Sequence, residues 1–193
     1  MKLKKLIPDY SVESLFNSMK TKIEYDTTHC KDKILLEKEL RDCARFGYGK
    51  VQKRNLDLGY CSKEAKNAVK TTKDHIWRPQ HCYEAMISKD LRDKYFFSKN
   101  SYELFYEITQ LLPQVVTVCS EQHSKFSNQI QRDRNSFEKK LYCHAKDIYK
   151  VNNVRLWDTE NNKYMPKDFF PGYLPEYFEK DLHDYEKTII VES

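Results

Sequence analysis

The sequence is poor in glycine: four in 193 residues, against fourteen Tyr and ten Phe. That balance excludes a disordered polymer, although charged residues make up 33% and hydrophobic residues only 39%. No run of about 18 apolar residues is present, so no membrane span is expected. The basic start Met1-Lys2-Leu3-Lys4-Lys5 has no apolar segment behind it, because Asp9, Ser11 and Glu13 intervene, and a secretory signal is not expected. The six cysteines, at 30, 43, 61, 82, 119 and 143, include no Cys-x-x-Cys pair and imply no disulfide framework. No internal repeat is evident. These absences together predict a reduced, cytoplasmic protein of one compact domain.

The mean hydropathy of -0.84 describes a strongly solvated surface, and the net charge of +5 is compatible with a polyanionic partner. Helical spacing predicts helices over 11–20, with Ser11 as N-cap, and over 31–46, ended by Gly47 and Gly49. Lys50 to Tyr60 reads as a loop, and Val69 to Ile76 as an extended segment closed by Pro79. Helical patterns follow over 81–98 and around Leu104–Leu112, the second stopped by Pro113. Val115, Val116 and Val118 predict a strand, and a long helix is expected from Ser120 to about Asn152. The tail from Val154 carries Pro166, Pro171 and Pro175 among many aromatics. It reads as an irregular arm packing through Trp157, Phe169, Phe170, Tyr173 and Tyr177, then a short helix. The expected class is α+β, mostly helical, divided as 1–60, 61–150 with a helical insertion at about 80–113, and 151–193.

Three residues carry the chemistry. Asp74 precedes His75, and a β-rich run leads to His123. A carboxylate suits a hard divalent metal, and imidazole is a base near neutral pH or a metal ligand. Consecutive side chains of a strand point to opposite faces. Asp74 can therefore aim at an ion held with His123, while His75 aims across toward a phosphorus atom. That division suits phosphodiester hydrolysis with one metal ion.

Asp74-His75-Ile76-Trp77-Arg78-Pro79, the run Val115-Val116-Thr117-Val118-Cys119 and the following His123 resemble the HNH family of nucleases, the ββα-metal class. The resemblance covers Cys61 to about Gln129. It implies a ββα-metal core, with Asp74 and His123 holding one divalent ion (magnesium or manganese, with zinc or nickel as alternatives). It makes His75 the base that activates water, and puts Gln114 where the family has an Asn that orients that base. It also implies an endonuclease acting on DNA, of the kind found in phage or bacterial defence. Departures are the Gln for Asn, the long interval between His75 and Gln114, and a zinc knuckle reduced to Cys61 and Cys119. Two thiolates cannot close a tetrahedral site, so no structural zinc is expected.

Arg78, Lys125, Arg132, Arg134, Lys139 and Lys140 are candidate phosphate contacts, set against a plain solvated face. Trp77 can stack on a base or pack. His81-Cys82 and Cys143-His144 join no recognisable ligand set. The arm at 151–193 is a candidate docking surface for a protein partner. The rival reading is a catalytically decayed module on the same scaffold that binds nucleic acid or protein. A third is a helical adaptor whose histidines never meet.

Overall fold

Val12, Leu15, Phe16, Met19 and Ile23 recur every three or four positions and are all buried, which is why Asp9–His29 forms one helix, α1. It runs well past the expected end at 20. Ile23 extends the apolar stripe, and Lys22 donates to Asp26 on the same helix at 2.8 Å. Helix α2, Lys33–Val51, starts at Asp32, whose side chain accepts from the Leu35 N–H at 2.9 Å. Lys22 also reaches Glu39 of α2 at 2.8 Å, so one ammonium ties the two helices.

The computed structural model of the protein describes residues 7–134 and 145–191, with the backbone alone for 128–134, 145–147 and 189–191. The chain divides into two compact units, Met1–Arg54 with Arg78–Pro113, and Asn55–Trp77 with Gln114–Ser193. This division differs from the one expected from sequence. The helical segment between the two predicted strands packs with the N-terminal helices, and the aromatic tail belongs with the strands.

The first unit is helical. It adds α3, Pro79–Met86, a π-turn at Asp93–Phe97, and α4, Ser101–Leu111. The single helix expected over 81–98 is thus two short pieces. Gly47 does not end α2 but lies inside it, where a Cβ would come 3.0 Å from Met19 Sδ and 3.1 Å from the Tyr83 ring. Its missing side chain is what lets α1, α2 and α3 approach. Phe16 packs on Phe96 and Phe105 with ring centroids 5.9 and 5.3 Å apart.

The second unit holds, among the described residues, one five-stranded sheet in the order β2-β3-β1-β4-β5. The strands are β1, Leu56–Ser62; β2, Thr71–His75; β3, Gln114–Cys119; β4, Leu156–Asp158; and β5, Lys163–Tyr164. β3 lies antiparallel to β2 and parallel to β1. The expected two-stranded ribbon is therefore one side of a larger mixed sheet. β1 falls in the stretch read as a loop, because Leu-Asp-Leu-Gly-Tyr-Cys-Ser has no β-branched residue and carries Gly59 at φ +76°. The register of β1 on β3 shifts between Asp57 and Cys61, around that glycine.

Three helices complete this unit: α5, Ser120–Arg134; α6, Ala145–Val151; and α7, Glu176–Val191. The tail is more regular than expected, supplying β4, β5 and the 16-residue α7. The fold is α+β and mostly helical, as the sequence predicts. Among the described residues, no helix is long and apolar enough to cross a membrane.

Candidate metal centre

Strand alternation buries Asp74 completely and leaves Lys73 exposed and His75 half-buried. Asp74 pairs with Val116 of β3, and His75 with Val115. Opposed residues of an antiparallel pair share a face. Asp74 therefore faces with Val116, while His75, Lys73 and Thr117 belong to the other face. There Lys73 donates to Asp57 and, at 2.6 Å, to Thr117 Oγ1.

Helix α5 begins directly where β3 ends, and Gln122 fixes that junction. Its Oε1 accepts from the Cys119 backbone N–H at 3.3 Å, the reach-back half of a capping box. The same Oε1 accepts from Ser62 Oγ at 2.6 Å, and its Nε2 donates to Glu64 at 2.7 Å. The first turn of α5 is thereby tied to β1 and the segment after it, and His123 is held above Asp74.

His123 Nε2 lies 3.7 Å from Asp74 Oδ1, with the His123 side chain 39% exposed and Asp74 at 0%. The separation is too long for a hydrogen bond. Two donors each about 2.1 Å from one ion, subtending 90–120° at it, are about 3.0–3.6 Å apart. The pair thus fits a shared divalent cation after a shift of a few tenths of an ångström, and the half-exposed imidazole leaves a path to it. The other Asp74 oxygen, Oδ2, accepts from the Tyr149 hydroxyl of α6 at 2.7 Å. Tyr149 is the contributor the sequence did not reveal. It sits within an ordinary amphipathic run, and nothing in its spacing marks it.

Gln114 is 2% exposed, and both ends of its amide engage the main chain of Tyr173: Nε2 donates to the carbonyl at 2.9 Å and Oε1 accepts from the N–H at 2.8 Å. This amide clamps the C-terminal arm to β3. The role of orienting His75, implied by the resemblance, is not the one its hydrogen bonds serve. The Tyr173 ring, expected to pack, is 56% exposed; its backbone is what is held.

The other candidates fall as follows. Trp77 is buried and meets Phe170 edge-on at 5.4 Å, so it packs. Lys125 is exposed on α5. Arg78 is half-buried at the entry to α3, in the helical unit, where its carbonyl accepts from the Cys82 N–H at 3.0 Å. Arg132 and Arg134 lie on α5 with only their backbone described, and Lys139, Lys140 and Cys143-His144 lie outside the described residues. His81 and Cys82 are buried in α3. Cys61 is a buried β1 thiol, pushed up by that burial, and Cys119 ends β3. Among the described residues no three His, Cys, Asp or Glu side chains cluster as a ligand set. Among the described residues, Asp74 and His123 are the two side chains placed to act as donors to one cation. No family model, curated protein or solved structure matches the chain.

Proposed function

We propose that the protein is a metal-dependent endonuclease that hydrolyses phosphodiester bonds of nucleic acid, DNA in the first instance. The observation that carries this reading is the 3.7 Å approach of His123 Nε2 to Asp74 Oδ1 at the junction of β2, β3 and α5. Asp74 and His123 would hold one divalent ion, magnesium or manganese by the carboxylate, with zinc or nickel favoured by the imidazole. When bound, such an ion neutralises charge on the phosphate and on the leaving 3′ oxygen. Tyr149 fixes the carboxylate by holding Oδ2, and Oδ1 is the oxygen that faces His123. His75, at the last position of β2, takes the proton from the attacking water.

One experiment tests the reading directly. Supercoiled plasmid is incubated with the protein in magnesium or manganese and in EDTA. Nicking is expected with metal and not with chelator, and Asp74→Ala and His123→Ala are expected to lose it. Equal plasmid integrity in all lanes would remove the proposal.

A second reading is favoured by one observation: the Gln114 amide is engaged by the Tyr173 main chain rather than by His75. On that reading the protein is a non-catalytic module that binds nucleic acid or protein. It predicts oligonucleotide or partner binding without nicking in any metal. A protein partner at the tail would meet the Tyr173 ring rather than Phe169 or Phe170, which pack on Tyr60 and Trp77.

A further inference from the structure

The second unit contains a cavity of about 440 Å³ whose charge the centre described above does not use. Four cations line it, Lys63, Lys150, Arg155 and Lys167, against two acids, Glu64 and Asp168. Among the described residues none of the four cations is in an ion pair. Glu64 already accepts from the Gln122 amide. The excess positive charge is built in by the backbone. Asn153 adopts φ 52°, and after it the Val154 N–H returns to the Tyr149 carbonyl at 2.8 Å, so the chain doubles back at the end of α6. Arg155 is thereby brought beside Lys63, whose N–H donates to the Arg155 carbonyl at 2.9 Å. The Arg155 guanidinium lies 4.6 Å over the Tyr164 ring, which limits its freedom.

Two chain connections join this cavity to the candidate centre. Lys150 directly follows Tyr149, whose hydroxyl holds Asp74. Glu64 is bonded to Gln122, which directly precedes His123. Elsewhere in the unit Lys66 sits 3.5 Å over the Trp157 ring on β4. A cluster of cations outside any ion pair is what the phosphates of a nucleic-acid strand meet when their charge is neutralised. We infer that Lys63, Lys150, Arg155 and Lys167 form a phosphate-binding subsite for the strand that runs into the Asp74–His123 centre. This rests on the nucleic-acid reading above, but not on cleavage.

The test uses the full chain in EDTA, where no metal-dependent cleavage occurs, with a fluorescein-labelled 20-nucleotide single strand and anisotropy as readout. Lys63, Lys150, Arg155 and Lys167 are changed together to Gln. A control carries Lys31, Lys33, Lys38 and Lys53 changed to Gln, which removes the same charge from exposed positions of the helical unit. The cavity variant is expected to bind at least about tenfold more weakly than the control at 0.1 M salt. Its plot of log affinity against log salt is expected to flatten by about 3, since each of the four lost phosphate contacts removes about 0.7 for a single strand. A second variant, with the three lysines changed to Arg, is expected to bind as the unaltered protein does. Equal weakening in cavity variant and control would assign the effect to bulk charge and overturn the proposal. No binding by the unaltered protein, or tighter cavity-dependent binding of a poly-glutamate peptide, would overturn it too. Protein that binds the strand through the cavity but never nicks plasmid would sink the nuclease reading alone.

Discussion

Tyr149 donates its hydroxyl to Asp74 Oδ2 at 2.7 Å, and both side chains are buried. A carboxylate with no solvent access depends on every such donor. Tyr149→Phe is expected to destabilise the protein by about 1–3 kcal/mol, because it leaves a buried acceptor short of one partner. Urea denaturation of the two proteins measures it. An unchanged midpoint with an unchanged slope would mean that this hydroxyl contributes nothing.

His75→Ala is expected to abolish metal-dependent nicking while manganese and DNA still bind. Calorimetry for the metal and anisotropy for the DNA read binding separately from cleavage. A variant that nicks at the normal rate removes His75 as the base and leaves the Asp74–His123 pair to be explained without it.

Gln114→Ala is expected to release the arm rather than to disable a base. Two hydrogen bonds to the Tyr173 main chain disappear. Hydrogen exchange at the Tyr173 amide should accelerate by at least about tenfold, corresponding to roughly 1.4 kcal/mol of lost protection. Unchanged exchange at Tyr173 would show that other contacts hold the arm.

Gly172→Ala is expected to be destabilising by about 1–3 kcal/mol. The added Cβ would lie 2.6 Å from Ile76 Cγ2 and 2.9 Å from Phe170 Cζ. Ile76 is fully buried and Phe170 meets Trp77 edge-on, so relieving the clash means displacing packed side chains. Thermal denaturation checks this, and a raised Tm would contradict the close approach.

Burial pushes the Cys43 thiol from 9.0 to about 12. Between those values the unfolded chain has released a proton that the folded protein retains. Stability from this group is therefore complete below pH 9 and falls as pH rises toward 12, by at most about 1.4 kcal/mol per pH unit. Cys43→Ala should flatten that part of the stability profile in urea titrations. Iodoacetamide at pH 8 should label the half-exposed Cys30 and Cys119 before Cys43. Faster loss of Cys43 would refute its burial.

The parts legible in the sequence were those with a strong local pattern. Thr71–His75 and Gln114–Cys119 carry β-branched residues and appear as strands where expected, and the apolar spacing around Leu104 marks α4. The approach of His123 to Asp74 was legible because Asp74 lies in one of those strands and His123 one helical turn past the other. What escaped depends on tertiary partners. β1 has little strand propensity of its own and forms because β3 and β4 bind it on both sides. β4 and β5 are two or three residues long and are held by Trp157 against Tyr164, 4.6 Å apart, across a turn with Asn162 at φ 54°. Asp158 shapes that turn by accepting from Asn161, which also holds its carboxyl below the usual range. Gln114 could be singled out by position, but an amide that binds a backbone 59 positions later leaves no local trace.

The sheet order β2-β3-β1 also dictates a sequence of assembly. β3, which lies between β2 and β1, is made after both of them, and all of the helical unit is synthesised before it. A growing chain thus leaves the facing edges of β1 and β2 unpaired until Gln114–Cys119 leaves the ribosome, and the other edge of β1 until Leu156–Asp158 follows. During that interval they are open to a chaperone, or to pairing with another nascent copy.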